Sequence, residues 1–239
     1  MDARRAFAST RWSLIARATG VEEGSRAALE ELAAGYWYPL YAFARRRGAS
    51  PEDAEDLVQS FFARLLEKAW LGQADRDRGR FRTFLLAAFR HHTSHVAERA
   101  AARKRGGDRT RLSLEDAESR YEAEASKALA PEALYERRYA LALIDRAWAR
   151  LAQRTRARGP DSAERFDVLR PYLEEDDAPV YRVTATRLGL SETAVKVAVH
   201  RMRGHFRDAL RAEVADTLDD PASVDDEIRR LMEAVASST

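Results

Sequence analysis

Residues 181–200 constrain this chain more than any other stretch. They read Tyr-Arg-Val-Thr-Ala-Thr-Arg-Leu-Gly-Leu-Ser-Glu-Thr-Ala-Val-Lys-Val-Ala-Val-His. Ala185 is small, as a close crossing of two helices requires. Gly189 falls at the turn, where a left-handed backbone costs any residue with a Cβ extra energy. Ser191 follows as an N-cap, and Val195 points back between the helices. The spacing predicts two helices joined by a tight turn. Thr193, Lys196, His200, Arg203 and Arg207 then share one solvent face of the second helix, with Ser191 at its start and Arg201 beside them. A basic stripe at helical spacing suits a DNA major groove in shape and sign. A helical hairpin with a solvated charged face is the plainer reading of the same stretch.

Composition narrows the class. Of 239 residues, 45% are hydrophobic and 33% charged, enough for two small cores under a densely ionic surface. The chain has no cysteine, which excludes disulfides and thiolate metal sites and fits a reducing compartment. No apolar run approaches the about 20 residues that span a bilayer. The opening Met-Asp-Ala-Arg-Arg lacks the apolar core of a signal peptide. The expectation is a cytoplasmic protein without membrane association. The net charge of +2 conceals blocks: +6 over residues 1–105, −3 over 106–135, +5 over 136–211 and −6 over 212–239. Two basic blocks separated by an acidic stretch suggest two modules that face nucleic acid, with acidic segments able to compete for them.

Helical periodicity dominates and alternation is nearly absent, so the expected fold is all-α: two helical domains joined by a flexible linker. The expected divisions are an N-terminal extension over 1–24, a first helical domain over 25–105 and an acidic flexible linker over 106–134. A second helical domain follows over 135–211, then an acidic C-terminal extension over 212–239. In the first domain Ser25 caps a helix that Pro39 breaks or kinks and Gly48 stops. Ser50, Pro51 and Asp53 open the next helix as cap, first helical residue and capping box. Its apolar face is Ala54, Leu57, Val58, Phe61 and Leu65. A loop over 72–79 leads to a long helix over about 80–104. The linker mixes glycine, serine and acids with few apolar residues. Tyr135–Arg158 is helical, Gly159-Pro160 ends it, and Asp161 caps a helix running to Leu173. Pro221–Val235 is a short acidic amphipathic helix.

Three groups of side chains carry possible chemistry. From Arg76 to Arg105 there are nine Lys/Arg and two acids, interleaved with Phe81, Phe84 and Phe89. Cations along one helix face, here Arg78, Arg80, Arg82, Arg90, Arg99 and Arg103, follow phosphates. An aromatic such as Phe84 near the loop holds an unstacked base. The phenylalanines taken alone read better as core. His91 and His95 lie one turn apart, but zinc needs a further ligand and only Glu98 is near, so neither a metal nor a cofactor is expected. On the helix from Pro51, Asp53, Asp56 and Ser60 share a face, with Glu55 and Gln59 adjoining. An acidic patch of this kind fits a basic protein surface, or merely complements the helix dipole.

In this order the parts resemble bacterial sigma factors of the extracytoplasmic-function class. The segment Ala27–Arg47 looks like the start of sigma region 2. Ser50-Pro-Glu-Asp-Ala-Glu-Asp-Leu-Val-Gln-Ser-Phe-Phe-Ala-Arg-Leu-Leu is similar to its acidic segment. Arg80-Phe-Arg-Thr-Phe-Leu-Leu-Ala-Ala-Phe-Arg resembles the promoter-melting segment. Leu188-Gly-Leu-Ser-Glu-Thr-Ala-Val-Lys-Val-Ala-Val-His-Arg resembles the helix-turn-helix of region 4. The likeness spans about 25–105 and 135–211. Thr10-Arg-Trp-Ser and the C-terminal extension look like the group associated with Ser/Thr protein kinases.

The resemblance implies a non-enzymatic specificity subunit that binds core RNA polymerase and promoter DNA. Asp53, Glu55, Asp56, Gln59 and Ser60 would dock on the clamp coiled coil of the largest polymerase subunit. The loop near 70–82 and the following helix would capture a base of the −10 element, and the helix from Ser191 would read the −35 element. The sequence departs from the family at Ser60, where an acid is common, which makes Ser60 a phosphorylation candidate for a Ser/Thr kinase. It departs also at His91, His95 and Glu98, where Asn, Asp and a basic residue are common. A helix-turn-helix regulator acting without polymerase is the alternative, and a histidine-based metallohydrolase is a more distant one.

Overall fold

The structure, a computed structural model, describes residues 24–66, 81–102, 114–125, 129–174, 179–218 and 220–236. Among them every regular element is helical. In chain order these are α1 (Gly24–Arg46), α2 (Pro51–Leu66), α3 (Phe81–Ala102), α4 (Leu114–Ala125), α5 (Pro131–Arg156), α6 (Pro160–Leu169), α7 (Pro171–Glu174), α8 (Tyr181–Leu188) and α9 (Glu192–Ala215). A 3-10 turn at Pro221–Ser223 precedes α10 (Val224–Ala236). The chain forms two compact units, one of residues up to 142 together with those from 214 onward, the other of residues 143–213.

The first unit is organised by aromatic rings. Tyr36 of α1 meets Phe81 of α3 edge-on at 5.1 Å and stacks on Tyr139 of α5 at 5.5 Å. Phe61 of α2 and Phe43 of α1 both meet Phe89 of α3 edge-on. Pro39 does not break α1, which runs through it. A helical proline forfeits one backbone hydrogen bond and crowds the preceding turn, but Leu40, Tyr41, Ala42 and Phe43 beyond it are wholly buried. Their burial holds the helix together. Gly48, at φ 95°, ends this segment as expected, and the amide of Asp53 donates to Ser50 Oγ at 3.1 Å, the expected cap of α2.

Two segments depart from the expected organisation. Residues 114–125, read as flexible linker, form α4. It is rich in Ala and Glu, good helix formers, and polar contacts hold it. Glu118 accepts from the Tyr41 hydroxyl and from both Nε and Nη2 of Arg45. The guanidinium of Arg120 lies over the Tyr38 ring at 4.5 Å, and that of Arg138 lies over the same ring at 4.8 Å. The C-terminal extension, expected as a separate acidic segment over 212–239, belongs from residue 214 with the first unit. Its helix α10 buries Val224, Glu227 and Leu231.

The second unit packs Trp148, Leu151, Phe166, Leu169, Val195 and Met202 into one core, with Trp148 stacked on Phe206 at 4.2 Å. Asp161 is not the cap of α6. Gly159, at φ 116°, holds that place, with Pro160 as first helical residue and Asp161 inside the first turn. The helix ends at Leu169, short of Leu173, and a four-residue turn of helix restarts at Pro171. A buried hydroxyl pair, Tyr172 donating to Thr184 Oγ1 at 2.7 Å, joins α7 to α8. Glu213 near the end of α9 is gripped by Arg146 and Arg150, one turn apart on α5.

Between α8 and α9 the backbone turns through Gly189 at φ 62°, ψ 32°, and the Leu190 amide returns to the Ala185 carbonyl. Ala185 and Val195 are buried, and the Ala194 amide donates to Ser191 Oγ at 3.1 Å. Nothing lies within 4 Å of where a Cβ would stand on Gly189. Its constraint is therefore the backbone angle alone. Gly189→Ala should lower stability by about 1–2 kcal/mol, the left-handed penalty of an L-residue, and Gly189→Asn should cost less. Urea unfolding midpoints of the three proteins check the order. An alanine variant as stable as the parent would contradict it.

Candidate nucleic-acid interface

Helix α9 turns Val195, Val199, Met202 and Ala209 inward. Ser191, Thr193, Lys196, His200, Arg201, Arg203 and Arg207 are all left exposed. They are not equally available. Ser191 Oγ is engaged as the cap. The Lys196 ammonium rests 5.3 Å from the Tyr181 ring centre, a cation–π distance. Arg203 donates to the Tyr172 carbonyl at 3.2 Å, so it leans toward α7. Arg201 leans the other way, where it shares with Arg158 and Arg165 the rim of a groove of about 660 Å³ floored by Leu151, Phe166 and Met202. Val197 stands exposed among these cations, as do Val180 and Val183 at α8.

On α2 the expected acidic patch is divided. Asp53 and Asp56 are exposed. Glu55 is only 7% exposed, and its carboxylate accepts from Gln59 Nε2 at 2.8 Å. Glu55 is thus not a free surface acid. It stands three residues before Val58 and seven before Phe62, on the row that packs inward. Ser60 is half-buried, donates to the Leu57 carbonyl at 3.1 Å, and lies 2.9 Å from Nε2 of His92. His92 is 1% exposed and packs against Phe61.

Helix α3 departs furthest from expectation. Arg82, read as a phosphate contact, is 5% exposed. Its guanidinium pairs with Glu136 of α5 and Glu227 of α10 and lies over the Tyr139 ring, and its carbonyl accepts from the Tyr135 hydroxyl. Arg82 shares a helical row with Leu85, Phe89 and His92, all buried, so its position turns it inward. Phe81 and Phe89 are core, while Phe84 is half-buried. Arg90 is exposed and pairs at 3.3 Å with an equally exposed Glu132, a bond of little strength in water. Arg99 lies on α3 with its side chain outside the described residues, and Arg78, Arg80 and Arg103 lie wholly outside them. His91 and His95 bring their Nε2 atoms to 2.9 Å. Among the described residues no three His, Cys, Asp or Glu gather as metal ligands, and no helix is long and apolar enough to cross a membrane.

Glu118, Glu136 and Glu227 went unrecognised in the residues, and His92, one of three histidines that suited a nucleic-acid face, is instead buried beside Ser60. The inward row of Arg82 was a signal that a carboxylate must meet it, but nothing local indicated which one.

Residues 36–103, from the second half of α1 through α3, match the family model of Sigma-70 region 2. The likeness is confined to that segment, which is similar to sigma-70 region 2. No curated protein and no solved structure matches the chain significantly.

The attachment of α4 is electrostatic and should respond to acid. The Arg45 guanidinium holds the Glu118 carboxyl below its usual range against the opposing effect of burial, with the Tyr41 hydroxyl assisting. A depressed carboxyl contributes stability that is complete above its unfolded pKa, about 4.3, and is lost as pH falls through the lower folded value. Glu118→Gln should therefore be less stable than the parent at pH 7, with the difference vanishing as pH drops below about 4. Unfolding midpoints across that range measure it. A gap that does not narrow at all as pH falls below about 4 would show that the contribution is not ionic.

Proposed function

We propose that the chain is a bacterial sigma factor, the subunit that gives core RNA polymerase its choice of promoter. The match of residues 36–103 to sigma-70 region 2 carries this reading. It covers the α2 face that exposes Asp53 and Asp56 and the start of α3. In the proposal Asp53, Asp56 and the neighbouring Ser60 meet the clamp coiled coil of the largest polymerase subunit. Glu55 and Gln59 hold each other behind them. The beginning of α3, with Phe84, handles the −10 element, and Arg90, Arg78, Arg80, Arg99 and Arg103 follow its phosphates.

Residues 143–213 act as region 4 in this reading, with α8 and α9 as its helix-turn-helix. The exposed arc of α9 enters the major groove of the −35 element. Thr193, Lys196 and His200 in its N-terminal half reach base edges, and Arg201, Arg203 and Arg207 follow the phosphates. What favours the assignment is the left-handed Gly189, the Ser191 cap and the exposed polar and basic side chains of α9. The extracytoplasmic-function class and its kinase-associated group are the finer placement.

Run-off transcription with core polymerase tests the whole. Specific transcripts that need the chain support it. Promoter binding that neither needs polymerase nor redirects it would favour a free-standing helix-turn-helix regulator. Within the reading, Lys196→Ala should weaken −35 binding by about 1–3 kcal/mol, and Arg203→Ala should weaken binding about uniformly across sequences. Thermal unfolding serves as control for the Tyr172 bond that Arg203 loses. Unchanged promoter affinity in both variants would exclude this docking face.

Ser60 is the regulated position of the patch in this proposal. A phosphate there adds about −1.5 to −2 charges and three acceptor oxygens. It breaks the bond to the Leu57 carbonyl and arises beside the His92 ring. The added charge completes the acidic face presented to polymerase. Core binding by wild type, Ser60→Ala and Ser60→Glu, with and without a Ser/Thr kinase, checks it. Kinase treatment should strengthen wild type and leave Ser60→Ala unchanged. Equal binding by unphosphorylated wild type and Ser60→Glu would contradict it.

A further inference from the structure

The first turn of α3 carries a cation that the chain itself covers. Glu227 of α10 is 1% exposed and pairs with Arg82, itself 5% exposed. The two residues are 145 positions apart in sequence, so this contact results from how the C-terminal helix docks. The acids flanking Glu227 on the first turn of α10, Asp225 and Asp226, remain exposed beside it. The docking is shallow. Only Val224, Glu227 and Leu231 of the thirteen residues of α10 are buried, and Met232 is 37% exposed. Segments with so few buried contacts open locally at low cost compared with global unfolding.

We infer that α10 is a built-in acidic competitor for single-stranded nucleic acid at the start of α3, with the Glu227 carboxylate occupying the place of a backbone phosphate on the Arg82 guanidinium. The inference rests on the proposed role of α3 in handling the −10 strand. A carboxylate and a phosphate present comparable oxygen pairs to a guanidinium, so one site serves either partner. With α10 docked, Arg82 is closed to solvent and the adjoining surface is acidic. When α10 lifts, the guanidinium opens toward the loop side of α3 and the repelling acids leave with the helix. Glu136 remains paired with Arg82 in both states. It keeps the guanidinium oriented while its other side changes partner.

The test uses the full chain and a fluorescent single-stranded oligodeoxynucleotide twelve nucleotides long, titrated at several salt concentrations. Glu227→Gln keeps the shape of the side chain and removes its charge. It should bind severalfold tighter than the parent. Its salt dependence should steepen by about 0.7 in log–log slope, the signature of one added phosphate contact on a single strand. Arg82→Gln/Glu227→Gln, which removes both charges together, should return to parental affinity and slope. Hydrogen exchange over 224–236 should quicken when the parent is saturated with oligonucleotide. Circular dichroism confirms that the variants are folded. Parental affinity in Glu227→Gln, or a double variant that keeps the gain, overturns the inference. If every variant binds alike while α10 stays protected, α10 is only structural and the sigma reading stands. If neither parent nor variants bind the oligonucleotide, alone or with core polymerase, the sigma reading fails and this inference with it.

Discussion

The first unit is arranged around one charge that docked helices close off from water. A guanidinium buried as Arg82 is must meet carboxylates at close range, since an unpaired buried ion is prohibitively costly. Satisfying it fixes where Glu136 and Glu227 stand, and so how α5 and α10 meet the first turn of α3. The Tyr135 hydroxyl on the Arg82 carbonyl adds a second tie from the same turn of α5. With two carboxylates on one guanidinium, loss of the Glu227 contact leaves Arg82 paired with Glu136. Replacing the whole cluster by well-packed apolar groups could be neutral, so what it confers is a definite partner and register.

Around that cluster two kinds of adhesion coexist. Helices α1, α2, α3 and α5 share a dry aromatic core, whose rings meet edge-on or stacked. Such contacts are indifferent to salt. Helix α4 is held by the Arg45–Glu118 pair, the Tyr41 hydroxyl and the guanidinium of Arg120 over Tyr38. Its attachment weakens under conditions that leave the aromatic core intact. The second unit repeats the contrast on a smaller scale. Trp148 and its neighbours form the core, and the Arg146–Glu213–Arg150 clamp fixes the far end of α9.

Much of this was legible in the residues because it depends on short range. The turn at Gly189, the caps at Ser50 and Ser191 and the exposure of the α9 arc all follow from spacing within a few positions. So does the all-helical class. The failures are of two kinds. Glu55 and Arg82 were read by chemical type when their place on an inward row already decided their burial. The second kind was out of local reach. The docking of α4 depends on residues 73 positions apart, and Glu227 meets a cation 145 positions before it. A polar helix held by ion pairs has the composition of a linker, and only its partners reveal that it is ordered. Pro39 failed for the converse reason: a strong local signal was overridden by the burial of the four residues after it.

Gly204 stands in the middle of α9, and a Cβ built there would have open space around it. Nothing among the described residues therefore requires a glycine there. A glycine inside a helix is less favourable than alanine by about 1 kcal/mol, and it leaves the backbone on that side uncovered. The helix that carries the basic arc thus gives up helix propensity at its centre, where Met202 and Phe206 on either side pack against the core. What keeps that turn helical is packing against the core, not the preference of its own residue.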